Sequence, residues 1–242
     1  MTDQEQVQIY QEQLKDASAQ EVINWAAGEF GEKCAFATSL GEEDQVLLDM
    51  IAGTAPNIKV FTLDTGRLFQ ETYDLLARNQ KRYDIDIDIY YPDTKALEGM
   101  VREKGINLFY ESVENRKLCC GIRKVEPLRR ALEGKRAWIT GLRRDQALTR
   151  SALEVVEWDE GNRLIKISPL ARWSLKDVRQ YIDANQLDIN PLHKKGFVSI
   201  GCAPCTRAIE KGEDIRNGRW WWEQPEQKEC GLHQRIEKKT GS

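Results

Sequence analysis

The chain has 242 residues, of which 40% are hydrophobic, 31% charged and 8% aromatic, and its formal net charge is −3. This composition is typical of a globular protein and argues against a disordered or collagen-like chain. No apolar run approaches the roughly 20 residues of a spanning helix, and the chain is not basic, so neither a membrane protein nor a general nucleic-acid-binding protein is expected. The polar N-terminus lacks the features of a secretory signal, and we expect a cytoplasmic location.

Hydrophobic periodicity and turn residues predict alternating helices and strands. In chain order, they predict a helix over 18–30, a strand over 33–38, a helix over 45–52, a strand over 58–63, a helix over 68–83, a strand over 85–90 and a helix over 95–104. A helical stretch around 119–132, a strand over 136–140, a hairpin around 159–161 and a helix over 174–185 follow. Ser18 and Ser174 are the expected N-caps of two of these helices.

This alternation predicts an α/β fold with a doubly wound, mainly parallel twisted sheet. Ligands of such sheets bind at the carboxyl ends of the strands, where the sequences TSLGEED, LDTGR and TGLRRD lie. From about residue 190 the pattern gives way to a loop-rich, cysteine-bearing sequence. We therefore predict an α/β domain with N-terminal helices over 1–190 and a C-terminal tail over 191–242.

Four of the six cysteines form two close pairs, Cys119–Cys120 and Cys202–Cys205. A Cys-x-x-Cys motif alone is compatible with zinc, redox or cluster chemistry. Adjacent cysteines are poor disulfide partners for each other, but four converging thiolates suit a Cys₄ metal or iron–sulfur centre. A structural zinc site stays open, although zinc sites usually use two Cys-x-x-Cys-like pairs rather than one such pair and two adjacent cysteines.

The other two cysteines differ in their surroundings. Cys34 lies in an apolar strand and is expected to be a small core residue. Cys230 lies in a polar segment near Lys228, His233 and Arg235, and such surroundings stabilise the nucleophilic thiolate form electrostatically. Cys230 is therefore either a nucleophile or an incidental exposed thiol.

Small and basic residues indicate a binding site for an anion. Thr38 to Gly41 close a strand and open a helix, which brings backbone N–H groups and the positive end of a helix together. The same residues are equally compatible with an ordinary helix start, because the carboxylates at 42–44 complement the helix dipole. Arginines near the cysteines and strand ends favour a small dianionic substrate.

Taken together, the motifs resemble the assimilatory adenylyl-sulfate reductases. They are the two cysteine pairs, SLGEED (39–44), LDTGR (63–67), TGLRRDQ (140–146), RNGRWWWE (216–223) and ECGLH (229–233). The resemblance extends over about residues 35–235. It implies the adenine nucleotide α-hydrolase-like fold, a nucleotide-binding α/β domain, and reduction of adenosine 5′-phosphosulfate to sulfite and AMP in sulfate assimilation.

The resemblance also implies a role for each matching residue. Cys230 would attack the sulfuryl sulfur and form an S-sulfocysteine, which thioredoxin or glutaredoxin then reduces. The paired cysteines, Cys119, Cys120, Cys202 and Cys205, match the ligands of one [4Fe–4S] cluster per chain. The implied substrate-binding residues are Ser39, Gly41, Leu63, Asp64, Thr65, Gly66, Lys124, Arg143, Arg144, Arg216 and Arg219. The resemblance does not decide which of Arg143, Arg144 and Arg150 contacts the substrate.

Three alternatives stay open. A 3′-phosphoadenosine 5′-phosphosulfate reductase would use the same mechanism, although such relatives typically lack the cysteine pairs. A sulfur-transfer or adenylating enzyme of the same fold would need ATP. A non-catalytic zinc module would use its four cysteines only to fix the tail. We expect no nucleic-acid or membrane partner, and the sequence leaves a homo-oligomer open.

Overall fold

The computed structural model describes residues 2–146, 150–210 and 212–224. Its helices are α1 (Asp3–Gln13), α2 (Ala19–Phe30), α3 (Glu42–Thr54), α4 (Gln70–Tyr83), α5 (Thr94–Lys104), α6 (Val113–Cys120), α7 (Glu126–Leu132) and α8 (Leu175–Ala184). Its strands are β1 (Cys34–Ala37), β2 (Lys59–Leu63), β3 (Ile87–Tyr90), β4 (Ala137–Ile139), β5 (Val156–Asp159) and β6 (Leu164–Ile167). A π-helix, Gly121–Val125, joins α6 to α7. None of the described helices is both long and apolar enough to cross a bilayer.

The described strands form one sheet in the order β3-β2-β1-β4-β6-β5. β1 pairs in parallel with both β2 and β4, and the β2–β3 and β4–β6 pairs are also parallel. Only β5 is antiparallel, because it forms the predicted hairpin with β6. The predicted α/β fold with a mainly parallel sheet is confirmed.

Local sequence signals explain where most helices begin. Ser18 and Ser174 cap α2 and α8, each in a reciprocal capping box with a carboxylate three residues later. Helix α3 begins at Glu42, three residues before the predicted start. Gly41 is its N-cap, and the acidic first turn is helical because its carboxylates face the positive end of the helix dipole. A further capping box at Thr2 begins α1, whose bounds were not predicted from the sequence.

The main core lies between the sheet and helices α2, α3 and α8. Phe36 and Ile139 from the central strands are fully buried there. Cys34 is also fully buried, and burial raises the pKa of its thiol to about 12. Cys34 is therefore the core residue that the sequence predicts, since a protonated, buried thiol is unreactive.

A smaller cluster joins the tail to the rest of the fold. It combines Met100 of α5 and Phe109 with Cys119 at the end of α6, and with Cys205 and Trp220 from the tail. Residues on both sides of position 190 thus share one buried cluster. The proposed boundary at 190 stays a prediction.

Candidate active site

The strand order of the sheet reverses at β1. Strand β1 is followed along the chain by β2 on one side, and β4 lies on its other side. In sheets of this type, ligands bind in the crevice outside the carboxyl ends of the strands at such a point. The segments after β1 (38–41), β2 (64–67) and β4 (140–143) all lie at this edge, as predicted.

In the segment after β1, polar groups bind the start of helix α3. The backbone N–H and the Oγ of Ser39 each donate to Oδ2 of Asp44 at 2.6 Å. Leu40 has a left-handed backbone, with φ of 63°, and its N–H donates to Oγ1 of Thr38 at 3.1 Å. The described contacts of Ser39 are therefore those of a capped helix start, and the ligand contacts of Ser39 and Gly41 stay predictions.

The segment after β4 packs closely against the same helix start. A Cβ atom at Gly141 would overlap Oδ1 of Asp44 and lie 3.1 Å from Cβ of Glu43. Arg143 is buried and donates to Oε1 of Glu43 from Nε at 2.9 Å and from Nη2 at 2.7 Å. The Arg143–Glu43 ion pair therefore joins the ends of β1 and β4.

Burial raises the pKa of Asp44 to about 6, although the Ser39 donors act to lower it. An aspartate in an unfolded chain titrates near 3.9, so folding favours the protonated carboxyl. The stability that the protonated form contributes is complete below about pH 4 and is lost as the pH rises through about 6. Relative to Asp44→Asn, we expect the wild type to lose about 2–3 kcal/mol of unfolding free energy between pH 4 and pH 7. Urea unfolding of both proteins across this range tests this, and a constant difference would contradict it.

The neighbouring arginines also have partners within the protein. Arg144 donates from Nε to the Leu153 carbonyl at 2.6 Å and forms an ion pair with Glu154 at 3.0 Å. Arg150 donates to the side chain of Gln146. Since Arg143, Arg144 and Arg150 are all engaged by protein groups, the geometry does not single out one of them for a ligand.

The segment after β2 connects the sheet to the tail. Asp64 accepts hydrogen bonds from the Gly66 N–H at 2.7 Å and from the Tyr73 hydroxyl at 2.9 Å. The Thr65 hydroxyl lies 3.2 Å from the Sγ of Cys202. These contacts follow directly after Leu63, the last residue of β2. The segment predicted to line the nucleotide pocket therefore contacts the second cysteine pair.

A second connection holds the Cys-x-x-Cys loop in place. The Ala203 N–H donates to the Arg67 carbonyl at 2.8 Å. The Tyr110 hydroxyl donates to the Pro204 carbonyl at 2.8 Å. Two hydrogen bonds from the protein therefore hold the loop that carries the second cysteine pair.

One helical face presents the first cysteine pair together with cationic side chains. Along α6 and the π-helix, Arg116, Cys119, Cys120, Arg123 and Lys124 follow the spacing i, i+3, i+4, i+7 and i+8. Residues at this spacing share one side of a helix. Single π-helical turns inside α-helices are frequent at functional sites.

The two cysteine pairs line one cavity. It is partly open to solvent and is bordered by Cys119, Cys120, Cys202 and Cys205. All four thiols are free of disulfide bonds. Within the described residues, no three His, Cys, Asp or Glu side chains meet closely enough to hold a single metal ion.

The thiols in this cavity differ in the direction in which their pKa values are shifted. Burial raises the pKa of Cys205 to about 12 and also raises that of Cys119. Burial acts in the same direction on Cys202, but the charge of Lys124 and the hydrogen bond from Thr65 bring its pKa below the ordinary value. Cationic surroundings are what stabilise a thiolate at a protein site.

Five cationic side chains share the lining of the cavity: Arg67, Arg116, Arg123, Lys124 and Arg219. Arg116 is neutralised by Glu223, to which it donates from Nε at 2.9 Å and from Nη2 at 2.8 Å. Arg67, Arg123 and Arg219 form no ion pair with a carboxylate in the described part of the chain. The cavity therefore carries excess positive charge that suits an anion.

Four charged residues of this site were not among the predicted site residues: Arg67, Arg116, Arg123 and Glu223. Arg116 and Glu223 form a buried ion pair, and Arg67 lines the cavity from the end of the LDTGR motif. The helical spacing from 116 to 124 is a sequence signal that would have included Arg116. No local pattern connects it to Glu223, because the two residues are 107 positions apart.

Two predicted site residues cannot be compared with this geometry. Cys230 lies outside the described residues, and so does the side chain of Arg216. Their roles stay predictions. Arg219 and Lys124, in contrast, both line the cavity with the cysteines.

Known proteins resemble this chain over most of its length. A model of the phosphoadenosine phosphosulfate reductase domain matches residues 33–208. An adenosine 5′-phosphosulfate reductase of Allochromatium vinosum is 48% identical, over 97% of this chain and 92% of that protein. The crystal structure of a phosphoadenylyl-sulfate reductase from Candida auris has a TM-score of 0.74 and 33% identity, over 84% of this chain and 97% of that one.

A more distant structure shares the fold alone. The NH₃-dependent NAD synthetase of Campylobacter jejuni has a TM-score of 0.51 and 11% identity, over 80% of this chain and 78% of that one. Together with the Candida auris structure, it confirms the predicted adenine nucleotide α-hydrolase-like fold.

Proposed function

Because the chain belongs to the phosphoadenosine phosphosulfate reductase domain family, we propose that it reduces adenosine 5′-phosphosulfate to sulfite and AMP in sulfate assimilation. It is an oxidoreductase that acts on sulfur. The observation that carries the proposal is the cavity in which two cysteine pairs and several arginines meet beside the carboxyl end of β2.

The substrate is a nucleotide with an anionic phosphosulfate group. The crevice at the ends of β1, β2 and β4 is the expected place for the nucleotide. Lys124 and Arg219 border the adjoining cavity, and with Arg216 they are proposed to bind the phosphosulfate. Positive charge is needed here because a thiolate must approach a group that is itself negatively charged.

Cys230 is the proposed nucleophile. Its thiolate attacks the sulfuryl sulfur, a bond forms between the two sulfur atoms, and the bond from that sulfur to the bridging phosphate oxygen breaks. AMP leaves with the electron pair of the broken bond, and an S-sulfocysteine remains on the enzyme. Since AMP is a good leaving group, the step needs no general acid.

A dithiol protein, thioredoxin or glutaredoxin, is the proposed reductant. One of its thiolates attacks the Sγ of Cys230, forms a mixed disulfide and releases sulfite. Its second thiol then resolves the mixed disulfide, so the reductant leaves oxidised and Cys230 returns as a thiolate. Both electrons thus come from the dithiol. We also place this reaction in the cytoplasm, where such reductants keep thiols reduced.

The four cavity cysteines, Cys119, Cys120, Cys202 and Cys205, fit a [4Fe–4S] cluster. In a [4Fe–4S] cluster the four cysteines bind four different irons, and each of the four thiols that line this cavity would supply one ligand. When bound, the cluster would supply a structural link between the cysteine pairs and an electrostatic field beside the substrate. A zinc module is the alternative that metal analysis tests: anaerobically purified protein with iron and sulfide in equal number excludes it, and stoichiometric zinc supports it.

Substrate choice is the most direct test of the proposed reaction. With thioredoxin present, we expect kcat/KM for adenosine 5′-phosphosulfate to exceed that for the 3′-phosphorylated nucleotide by roughly 100-fold or more. Sulfite release from each nucleotide measures this. The reverse preference would favour the activity for which the Candida auris relative is named. Pyrophosphate release from ATP would instead indicate an adenylating enzyme.

A further inference from the structure

Gly201, which directly precedes Cys202, lies against the guanidinium group of Arg219. A Cβ atom at position 201 would lie 2.6 Å from Nη2 of Arg219, and 2.7 Å from both Cζ and Nη1. Side chains do not approach a Cβ this closely, so any residue other than glycine must displace the guanidinium. The backbone itself does not require glycine here, because the φ of Gly201 is not in the left-handed region.

Three further contacts hold Arg219 in this position. Its Nε donates to the Cys205 carbonyl at 3.2 Å. Its guanidinium carbon lies 4.7 Å from the centre of the Trp220 ring, within the range of a cation–π contact. Its backbone forms an antiparallel bridge with Thr206. The guanidinium is thus fixed between the Gly201 backbone and the Trp220 ring.

The fixed guanidinium borders the cysteine cavity. It forms no ion pair with a carboxylate among the described residues, unlike Arg116, which is paired with Glu223. A cation that is rigidly held and still available to an anion is organised for binding before the ligand arrives, which reduces the entropy lost on binding.

We propose that Gly201 is a positioning residue for Arg219: the absence of a side chain at 201 leaves the space in which the guanidinium is aimed at the anionic group of the substrate. This rests on the proposed function, in which Arg219 binds the phosphosulfate. Gly201 itself does not touch the substrate in this account.

The test is Gly201→Ala in the cluster-loaded protein. We expect KM for adenosine 5′-phosphosulfate and Kd for AMP to rise roughly 10- to 100-fold, as when one charge-assisted hydrogen bond is lost. Iron content and thermal stability should stay at the wild-type values, because only the end of a flexible side chain must move. Gly99→Ala is the matched control: nothing lies within 4 Å of a Cβ there, so its KM should not change.

Combination with Arg219→Lys separates positioning from a general structural effect. In the wild-type background we expect Arg219→Lys to raise KM about as much as Gly201→Ala does. In the Gly201→Ala background it should add little, because the same interaction is already lost. Independent, multiplying effects would overturn the inference.

The remaining outcomes also separate this inference from the proposed function. A Gly201→Ala protein that keeps wild-type KM and Kd, or that fails to fold, contradicts the inference while wild-type activity upholds the proposed function. A wild-type protein that neither reduces adenosine 5′-phosphosulfate nor binds AMP contradicts both.

Discussion

Glu223→Gln is expected to lower the free energy of unfolding by about 3–5 kcal/mol. The side chains of Arg116 and Glu223 are 1% and 3% exposed. Two hydrogen bonds join the guanidinium group to the carboxylate, and each charge compensates the other. Glutamine retains the shape of glutamate but removes the negative charge that the two hydrogen bonds bring against the buried guanidinium. For a chain of this size, the loss corresponds to a fall of roughly 6–20 °C in the melting temperature.

Glu126→Gln provides the matched control for this substitution. It breaks the ion pair between Glu126 and Arg130. Their side chains are 43% and 44% exposed, so solvent screens the interaction. We expect a change of about 0.3–0.5 kcal/mol at most. The double variant Arg116→Met with Glu223→Leu should recover much of the stability, because it removes both buried charges. A Glu223→Gln protein that melts with the wild type would contradict the account of this ion pair.

Cys230→Ser is expected to have the largest effect on activity. A serine hydroxyl is a far weaker nucleophile than a thiolate, so we expect kcat to fall by more than about 10⁴-fold. AMP binding and iron content should stay unchanged, since Cys230 belongs to neither proposed binding site. Sulfite release in the presence of thioredoxin measures the loss. Cys34→Ser is a useful comparison because Cys34 is buried away from the cavity, and it should affect folding rather than the chemical step.

Much of the fold follows from short-range sequence signals. The period-two and period-3.6 patterns locate the strands and helices, and the serines at 18 and 174 locate two helix starts. Such signals did not predict the first residue of helix α3. The helix begins at Glu42, and this start depends on the hydrogen bonds that Asp44 accepts from Ser39. An acidic run is compatible with both a loop and a first helical turn, and only the folded contacts decide between them.

The candidate site was predictable where its residues lie close together in the sequence. The two cysteine pairs and the basic residues beside them predicted one thiol-lined site, and the structure brings both pairs to one cavity. The pair of Arg116 and Glu223 and the contact of Gly201 with Arg219 were not predictable. The first pair arises from the packing of the tail onto α6, and the second contact arises within the tail itself. A sequence pattern carries no information on such pairings.

The measurement that tests the central claim most directly is the mass of the enzyme after reaction without a reductant. Wild-type protein incubated with adenosine 5′-phosphosulfate should become heavier by one SO₃ group, located on the peptide that contains Cys230. Addition of thioredoxin should then remove this group and release one equivalent of sulfite. Cys230→Ser protein should remain unmodified. An adduct on the Cys230→Ser protein, or sulfite formed by the wild type without any adduct, would contradict the account.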